Sequence, residues 1–261
     1  MRALPNLDQN AGDNLGRAYI CEARKEGKRQ FSAAAYPFGG VEVRTEALVS
    51  KVVLGKEDGR VVAKGVQLAG DGGFLPANNV VVSAGAVRSP QVLLLSGIGS
   101  AADLKERGIE SIVDNPEVGK GLTDHMSFFQ HWRVKDPSAG YTLGSPNPDF
   151  AQPQYAQGVP MDWIVSTGVS EEGLKEAIKK DEGVDPDPAT HPLLKNARTF
   201  LEHVVLYAKV PLPGIPLDAE HLTSMVVNFL PTSRGKVSLK STNPEDAPSS
   251  KYHHKPNRVQ C

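Results

Sequence analysis

The sequence predicts a mixed α/β (α+β) protein, on three observations. Residues 41–83 carry β-branched residues near period two, broken by Asp- and Gly-containing turns, the pattern of an antiparallel meander. The stretch "SAGAVRSPQVLLLSGIG" at 83–99 follows an apolar run and reads as strand, turn, helix and turn. Two later segments, "SAADLKERG" and "SEEGLKEAIKKD", open on serine and read as capped helices set among further strand-like runs.

Each element has its own local reason. Residues 1–40 are polar and rich in Gly, Asn and Asp, with one short helix expected around 31–36. "VEVRTEALVSKVVL" at 41–54 reads as a strand or two, and Asp58-Gly59 supplies the hairpin turn into a return strand at 61–69. "GDGG" at 70–73 makes a second turn, and a strand is expected at 80–83. In the helix that follows, Ser89 is the expected N-cap and Pro90 the first helical residue, where its missing N–H costs nothing. Gly97 is the expected stop. A second short helix is expected over 100–108, with Ser100 as cap and Gly108 as stop, then a short strand and a turn-rich loop.

"FFQHWRV" at 128–134 alternates loosely and reads as a strand. Residues 136–160 are rich in proline and read as loop, a lid or surface excursion. A helix capped by Ser170 is expected over 170–181, and an amphipathic helix running into a strand over 191–210. Residues 222–241 read as strand, turn and strand about Ser233-Arg234-Gly235, and the tail beyond them as loop.

Bulk properties exclude several function classes. A chain of 261 residues suits one large or two modest domains. A net charge of -1 predicts no pull toward nucleic acid or an anionic membrane. No apolar run approaches the roughly 18 residues needed to span a bilayer. "MRALPNLDQNAGDNLGRAYI" lacks the apolar core of a secretory leader, which leaves a cytosolic protein or a chain that has lost its true start. Cys21 and Cys261 form no disulfide framework or metal motif and read as two unpaired thiols.

"VLLLSGIGSAADLKERGIESIVD" imitates a dinucleotide fingerprint, with Gly97, Gly99 and Ala102 after an apolar run and Asp114 after a second one. Two features oppose it. The run before the glycines has its own helix start at Ser89-Pro90, and proline is poorly tolerated inside a central strand. The following helix has only about two turns before Gly108, too short to cross a sheet. The glycines are better read as a helix stop and a tight turn.

The same stretch resembles the second sequence signature of the glucose-methanol-choline (GMC) oxidoreductases, flavoenzymes that oxidise alcohols. Gly85, Ala86, Ser89, Pro90, Gln91, the leucines at 93–95, Ser96, Gly97 and Gly99 stand in the expected order. Three further segments agree in order and spacing. "VEVRTEALVSKVV" resembles the strand before the signature through Thr45, Ala47, Val49 and Lys51. "NPEVGKGLTDHM" resembles a family loop through Pro116, Val118, Gly119, Leu122, Asp124 and His125. "PTSRGKVSLKSTNPEDAP" resembles the start of the family's C-terminal region through Ser233, Arg234, Gly235, Val237, Leu239, Ser241 and Pro244. Within the family, the chain looks most like the fungal aryl-alcohol-oxidase-like members.

The resemblance implies a partial FAD-binding, Rossmann-like α/β domain over 1–126. It implies a partial substrate domain over 127–261, whose antiparallel sheet carries helices on one face, with the start of the C-terminal region. It implies FAD as cofactor and a small-molecule alcohol as substrate. Val49 is expected to meet the adenine through its main chain, and Asp124 and His125 to lie in a loop close to the flavin side. Residues 83–86 are expected to end a strand near the cofactor.

The departures from the family matter equally. No GxGxxG phosphate turn and no first family signature precede residue 83. The family's catalytic histidine lies in an "HPxGT"-like segment beyond the Arg-Gly turn. His191-Pro192 lies upstream of Arg234-Gly235, and His253-His254 falls too early and lacks the glycine. No catalytic residue is therefore expected, and the chain is expected to be incomplete at both ends. Two readings follow: an FAD-dependent oxidoreductase acting on CH–OH groups in truncated form, or a non-catalytic remnant or binding protein with the substrate-domain fold.

Overall fold

The computed structural model describes residues 8–153, 158–210 and 218–252, and the tail thiol Cys261 and the pair His253-His254 lie outside them. Strand β1 (Gly16–Tyr19) is followed by a small hairpin of β2 (Arg24–Lys25) and β3 (Lys28–Arg29), and by the expected short helix, α1 (Ser32–Ala35). β4 (Val49–Glu57) and β5 (Arg60–Leu68) pair antiparallel, and Asp58 and Gly59 between them both take positive φ, 47° and 76°, as a type I′ turn requires. β6 (Phe74–Pro76) pairs with β5 and completes the meander.

Two strand expectations fail here. Residues 41–48 are outside any strand, and β4 begins only at Val49. Residues 80–83 pair with no strand among those described, and Val81 is 86% exposed. A β-branched run supplies propensity, but a strand exists only where a neighbour takes its backbone groups.

Helix α2 (Gly85–Leu95) starts one turn earlier than expected and holds Pro90 inside it, so Ser89 is not its cap. The N–H that proline lacks would have bonded the Ala86 carbonyl, and Ala86 is exposed, so that carbonyl is not left in a buried setting. Gly97 ends the helix as expected, at φ +80°, and a Cβ there would sit 2.5 Å from the Glu110 carbonyl oxygen. β7 (Ile98–Gly99) leads into α3 (Ala101–Lys105), where Ser100 Oγ accepts the Asp103 N–H at 3.3 Å. β8 (Val113–Asp114) pairs parallel to β7, and β9 (Lys120–Leu122) follows. Asp114 accepts the Ala101 N–H at 3.0 Å, so the acid of the imitation fingerprint holds the start of α3.

β10 (Met126–Arg133) fills the expected strand, and two 3₁₀ turns, Pro137–Ala139 and Pro148–Ala151, punctuate the proline-rich loop. After β11 (Trp163–Thr167), α4 (Glu171–Glu182) is capped by Ser170, whose Oγ accepts the Gly173 N–H at 3.1 Å, and ends at left-handed Gly183. β12 (Leu201–Leu206), β13 (His221–Asn228), β14 (Gly235–Ser238) and β15 (Ser249–Lys251) complete the chain.

The helix expected over 191–210 is absent; turns lead instead into β12, which pairs on both sides, with β11 and β13. Its apolar spacing fits either period, and pairing on two edges decides for the strand. The expected hairpin over 222–241 is also absent, because β13 and β14 join different sheets. The tail expected as loop contributes β15, paired with β14.

The chain divides into two compact units. One gathers the described residues of Met1–Gly39 and His125–Pro231; the other gathers those of Gly40–Asp124 and Thr232–Pro256. Each is thus built from distant segments, where the sequence reading placed a single boundary at 126/127. The first unit is built on a five-stranded antiparallel sheet in the order β1-β11-β12-β13-β10. Its alternation buries Ala18, Ser166, Val204, Thr223 and Val227 on one face.

The second unit holds the meander, the β15-β14-β9 sheet, the β7-β8 pair, α2 and α3. Its core is Leu94, Leu104 and Leu239, with Leu95, Ile109 and Val118 packed around them. Gly119 lets β14 approach: at φ +82° its carbonyl accepts the Val237 N–H at 2.6 Å, and a Cβ there would sit 2.3 Å from the Val237 carbonyl oxygen. No described helix is long and apolar enough to cross a membrane.

Candidate functional site

The second unit is organised by the signature helix α2. Its buried Gln91 donates to the carbonyls of Asp246 (2.8 Å) and Pro244 (3.3 Å), and Arg88 donates to the Gln91 amide oxygen at 2.6 Å. One amide thereby fastens the loop after β14 onto the helix. At the other end, Val52 of β4 donates its N–H to Ser96 Oγ at 2.8 Å. The N-terminus of α2 is left open: Ala84 supplies no side-chain cap, no acidic residue stands in the first turn, and Ser83 to Ala86 are exposed. Free N–H groups and the positive end of the helix dipole suit an anionic group there.

Val49 stands at the head of β4, the edge strand of its sheet. The Ala69 N–H donates to the Leu48 carbonyl at 2.8 Å, and Val49 is paired with Leu68. That places Val49 at a non-hydrogen-bonded position of the ladder, where a residue's own N–H and C=O point away from the partner strand. Both groups therefore face the open edge. A donor beside an acceptor on one main chain is the hydrogen-bonding pattern that an adenine edge can pair with.

Asp124 and His125 are exposed and stand where the chain leaves β9 for β10. They are together as chain neighbours, and Val49 belongs to a different element. The His125 ring meets Phe229 edge-on, with centroids 4.6 Å apart and planes at 66°.

In the first unit, one face of the five-stranded sheet carries Arg17, Tyr19, Trp163, Thr167, His203 and Val205. Tyr19 stacks on Trp163 at 3.9 Å between centroids, and the Arg17 guanidinium lies 4.6 Å from the Trp163 ring. His203 Nε2 and Thr167 Oγ1 are 3.2 Å apart. On the opposite face, burial pushes the Glu202 carboxyl above its ordinary value, and the charge of His125 partly offsets this. Reading 191–210 as a helix hid both residues; the alternation in "FLEHVVLY" was the signal that sets them on opposite faces.

A further polar cluster caps the entry to β13. Burial works to raise the Asp218 carboxyl, but the Glu220 N–H (3.0 Å), the His221 ring (2.7 Å) and Lys209 (3.4 Å) hold it down at about 2. Among the described residues, no three His, Cys, Asp or Glu side chains are grouped to hold a metal ion.

Comparison with known proteins agrees with this architecture. Residues 5–127 match a family model described as GMC oxidoreductase. The GMC-type oxidoreductase acuG of Aspergillus aculeatus is 34% identical over 243 residues, covering 92% of this chain and 45% of that protein. The oxygen-dependent choline dehydrogenase of Rhizobium meliloti is 28% identical over 258 residues, covering 95% of this chain and 43% of that protein. The chain thus spans a little under half the length of the relatives it matches. In fold it resembles a crystal structure of formate oxidase, with a TM-score of 0.74 at 21% identity over 97% of this chain and 47% of that one. It also resembles a fungal aryl-alcohol oxidase, with a TM-score of 0.64 at 21% identity over 92% of this chain and 47% of that one.

Proposed function

The chain belongs to the GMC oxidoreductase family, and from that premise we propose that it serves FAD-dependent oxidation of the CH–OH group of a small-molecule alcohol. The observation that carries the reading is the main chain of Val49, with N–H and C=O both turned to the open edge of β4. In this reading those two groups hold the adenine. The uncapped start of α2 presents N–H groups to an anionic part of the cofactor, and Asp124 and His125 lie toward the flavin. FAD, when bound, supplies the acceptor for the hydride of the alcohol carbon.

The five-stranded sheet is the substrate layer in this reading. Trp163, Tyr19 and Val205 offer an apolar and aromatic surface, and His203, anchored on Thr167, offers a polar group within it. That favours an alcohol with an apolar or aromatic body, in keeping with the aryl-alcohol-oxidase-like resemblance.

The test is a flavin titration of the purified chain. Protein that keeps visible flavin absorbance through gel filtration, or melts higher with added FAD, supports the proposal. Colourless protein that FAD does not stabilise favours a non-catalytic protein built on the same fold.

A further inference from the structure

Strand β10 is an edge of the five-stranded sheet: β13 pairs with one side of it, and among the described residues no strand pairs with the other. The ladder shows which backbone groups that edge presents. The Val134 N–H donates to the Glu220 carbonyl at 2.7 Å, one step beyond the paired Arg133 and His221. Antiparallel pairs alternate, so Trp132, Gln130, Phe128 and Met126 exchange their backbone bonds with β13. Arg133, His131, Phe129 and Ser127 stand between them and turn their own N–H and C=O groups outward. Among the described residues, nothing bonds those outward groups.

The edge is also bare on both faces. Every residue from Ser127 to Arg133 is exposed, including Phe128 (53%), Phe129 (47%) and Trp132 (56%). Edge strands are commonly kept from pairing by brevity, proline, lysine or a bulge. β1, at the opposite edge, has four residues. β10 has eight, holds neither proline nor lysine, and runs against β13 without a shift of register.

The sequence of β10 is complementary to itself. When it is laid antiparallel to a second copy about a two-fold axis at Gln130, the outward groups of Phe129 meet those of His131, and those of Ser127 meet those of Arg133. All the outward residues of both strands then form hydrogen-bonded pairs. On the other face, Phe128 comes opposite Trp132 of the second copy, on each side of a Gln130–Gln130 pair. Side chains approach most closely at these non-hydrogen-bonded positions, and aromatic cross-strand pairs stabilise a sheet there. Arg133, the one charged residue of the strand, faces a serine, and its two copies lie at opposite ends. A slip of two residues in either direction loses both Phe128–Trp132 pairs.

We propose that β10 is the interface of a symmetric homodimer, in which two five-stranded sheets join edge to edge in the register centred on Gln130. The proposal is independent of the FAD reading, and its test needs no flavin.

The test is sedimentation equilibrium of the full 261-residue chain and two variants. The unmodified chain is expected to reach twice its monomer mass. Gln130→Lys and Gln130→Glu each set like charges opposite one another across the axis, and each should weaken the dimer by roughly tenfold. Mixing the two variants should restore it. Association through any other surface does not respond to the sign of the charge at residue 130. A monomer at all concentrations, a dimer indifferent to both variants, or a mixture no tighter than its parts overturns the proposal. Should the variants fail to fold, amide hydrogen exchange of the unmodified chain decides: the N–H groups of Ser127, Phe129, His131 and Arg133 should exchange more slowly as concentration rises. Exchange that ignores concentration overturns the proposal, and protection already present in the dilute monomer would mean that another part of the same chain covers the edge.

Discussion

Val52 donates its backbone N–H to Ser96 Oγ at 2.8 Å, across 44 residues of sequence, and both residues are buried. The same hydroxyl donates to the Val92 carbonyl at 2.6 Å. One side chain therefore closes the last turn of α2 and satisfies the outward edge of β4, the edge on which Val49 stands. Ser96→Ala removes the acceptor and strands a buried N–H, which costs about 1–3 kcal/mol. The expected result in urea unfolding is a lower midpoint with an unchanged slope. Ser50→Ala is the control: the Ser50 hydroxyl donates to the Gln67 carbonyl at 2.9 Å in a less buried setting, and its loss should cost about 1 kcal/mol or less. Equal and small effects for both would remove the bridge from the account of the fold.

What the sequence made legible divides along physical lines. Features set by a few adjacent residues came through: Ser100 and Ser170 as caps, Gly97 as a helix stop, and Asp58-Gly59 as a hairpin turn. Features set by distant partners did not. Residues 191–210 carry an apolar spacing that fits a helix, and pairing of β12 with β11 and β13 makes its second half a strand. The reverse holds at 80–83, where strong β propensity meets no partner strand among the described residues. The motif glycines mark a family, but the reason for Gly119 appears only when Val237 lies against it. Val49 was named through resemblance alone; the ladder register adds that both of its main-chain groups face the open edge of β4.

That last point separates two substitutions. Val49→Ala keeps both main-chain groups and should leave FAD affinity within a few-fold of the unmodified chain. Val49→Pro removes the outward N–H, and proline is tolerated at the first residue of an edge strand because the ladder does not use that donor. The expected loss is about tenfold in affinity, the worth of roughly one hydrogen bond. Fluorescence titration with FAD checks both, with circular dichroism to show the fold intact. A loss in Val49→Ala equal to that in Val49→Pro would mean that the side chain, not the backbone, makes the contact.

The Glu202 carboxyl gives a stability signature with a definite sign. Its folded value lies above the ordinary glutamate value because burial disfavours the charge. Below the unfolded value, both states are protonated and the group contributes nothing to the pH dependence. As pH rises through the unfolded and then the folded value, the native state is the slower to lose its proton and stability falls; above both, the cost is complete. Glu202→Gln should therefore match the unmodified chain at about pH 4 and be the more stable at about pH 8. Urea unfolding at both pH values measures it, and a Gln variant that loses stability at high pH would contradict the assignment.

The second unit and the segment leading into it leave much apolar surface in water. Tyr36, Phe38, Val41, Val43 and Val81 are 75%, 54%, 61%, 59% and 86% exposed, and residues 41–48 and 80–83 are outside any strand. Water-facing valines spaced by two, in segments whose backbone joins no sheet, invite pairing with a neighbouring molecule. The purified chain should self-associate, with a molar mass by light scattering that rises with concentration. Val81→Ser combined with Val43→Ser should lower that association without lowering stability, because neither side chain is buried in the folded chain. A monodisperse monomer with a sharp, cooperative melt, unchanged by the two serines, would show instead that these segments are satisfied within one molecule.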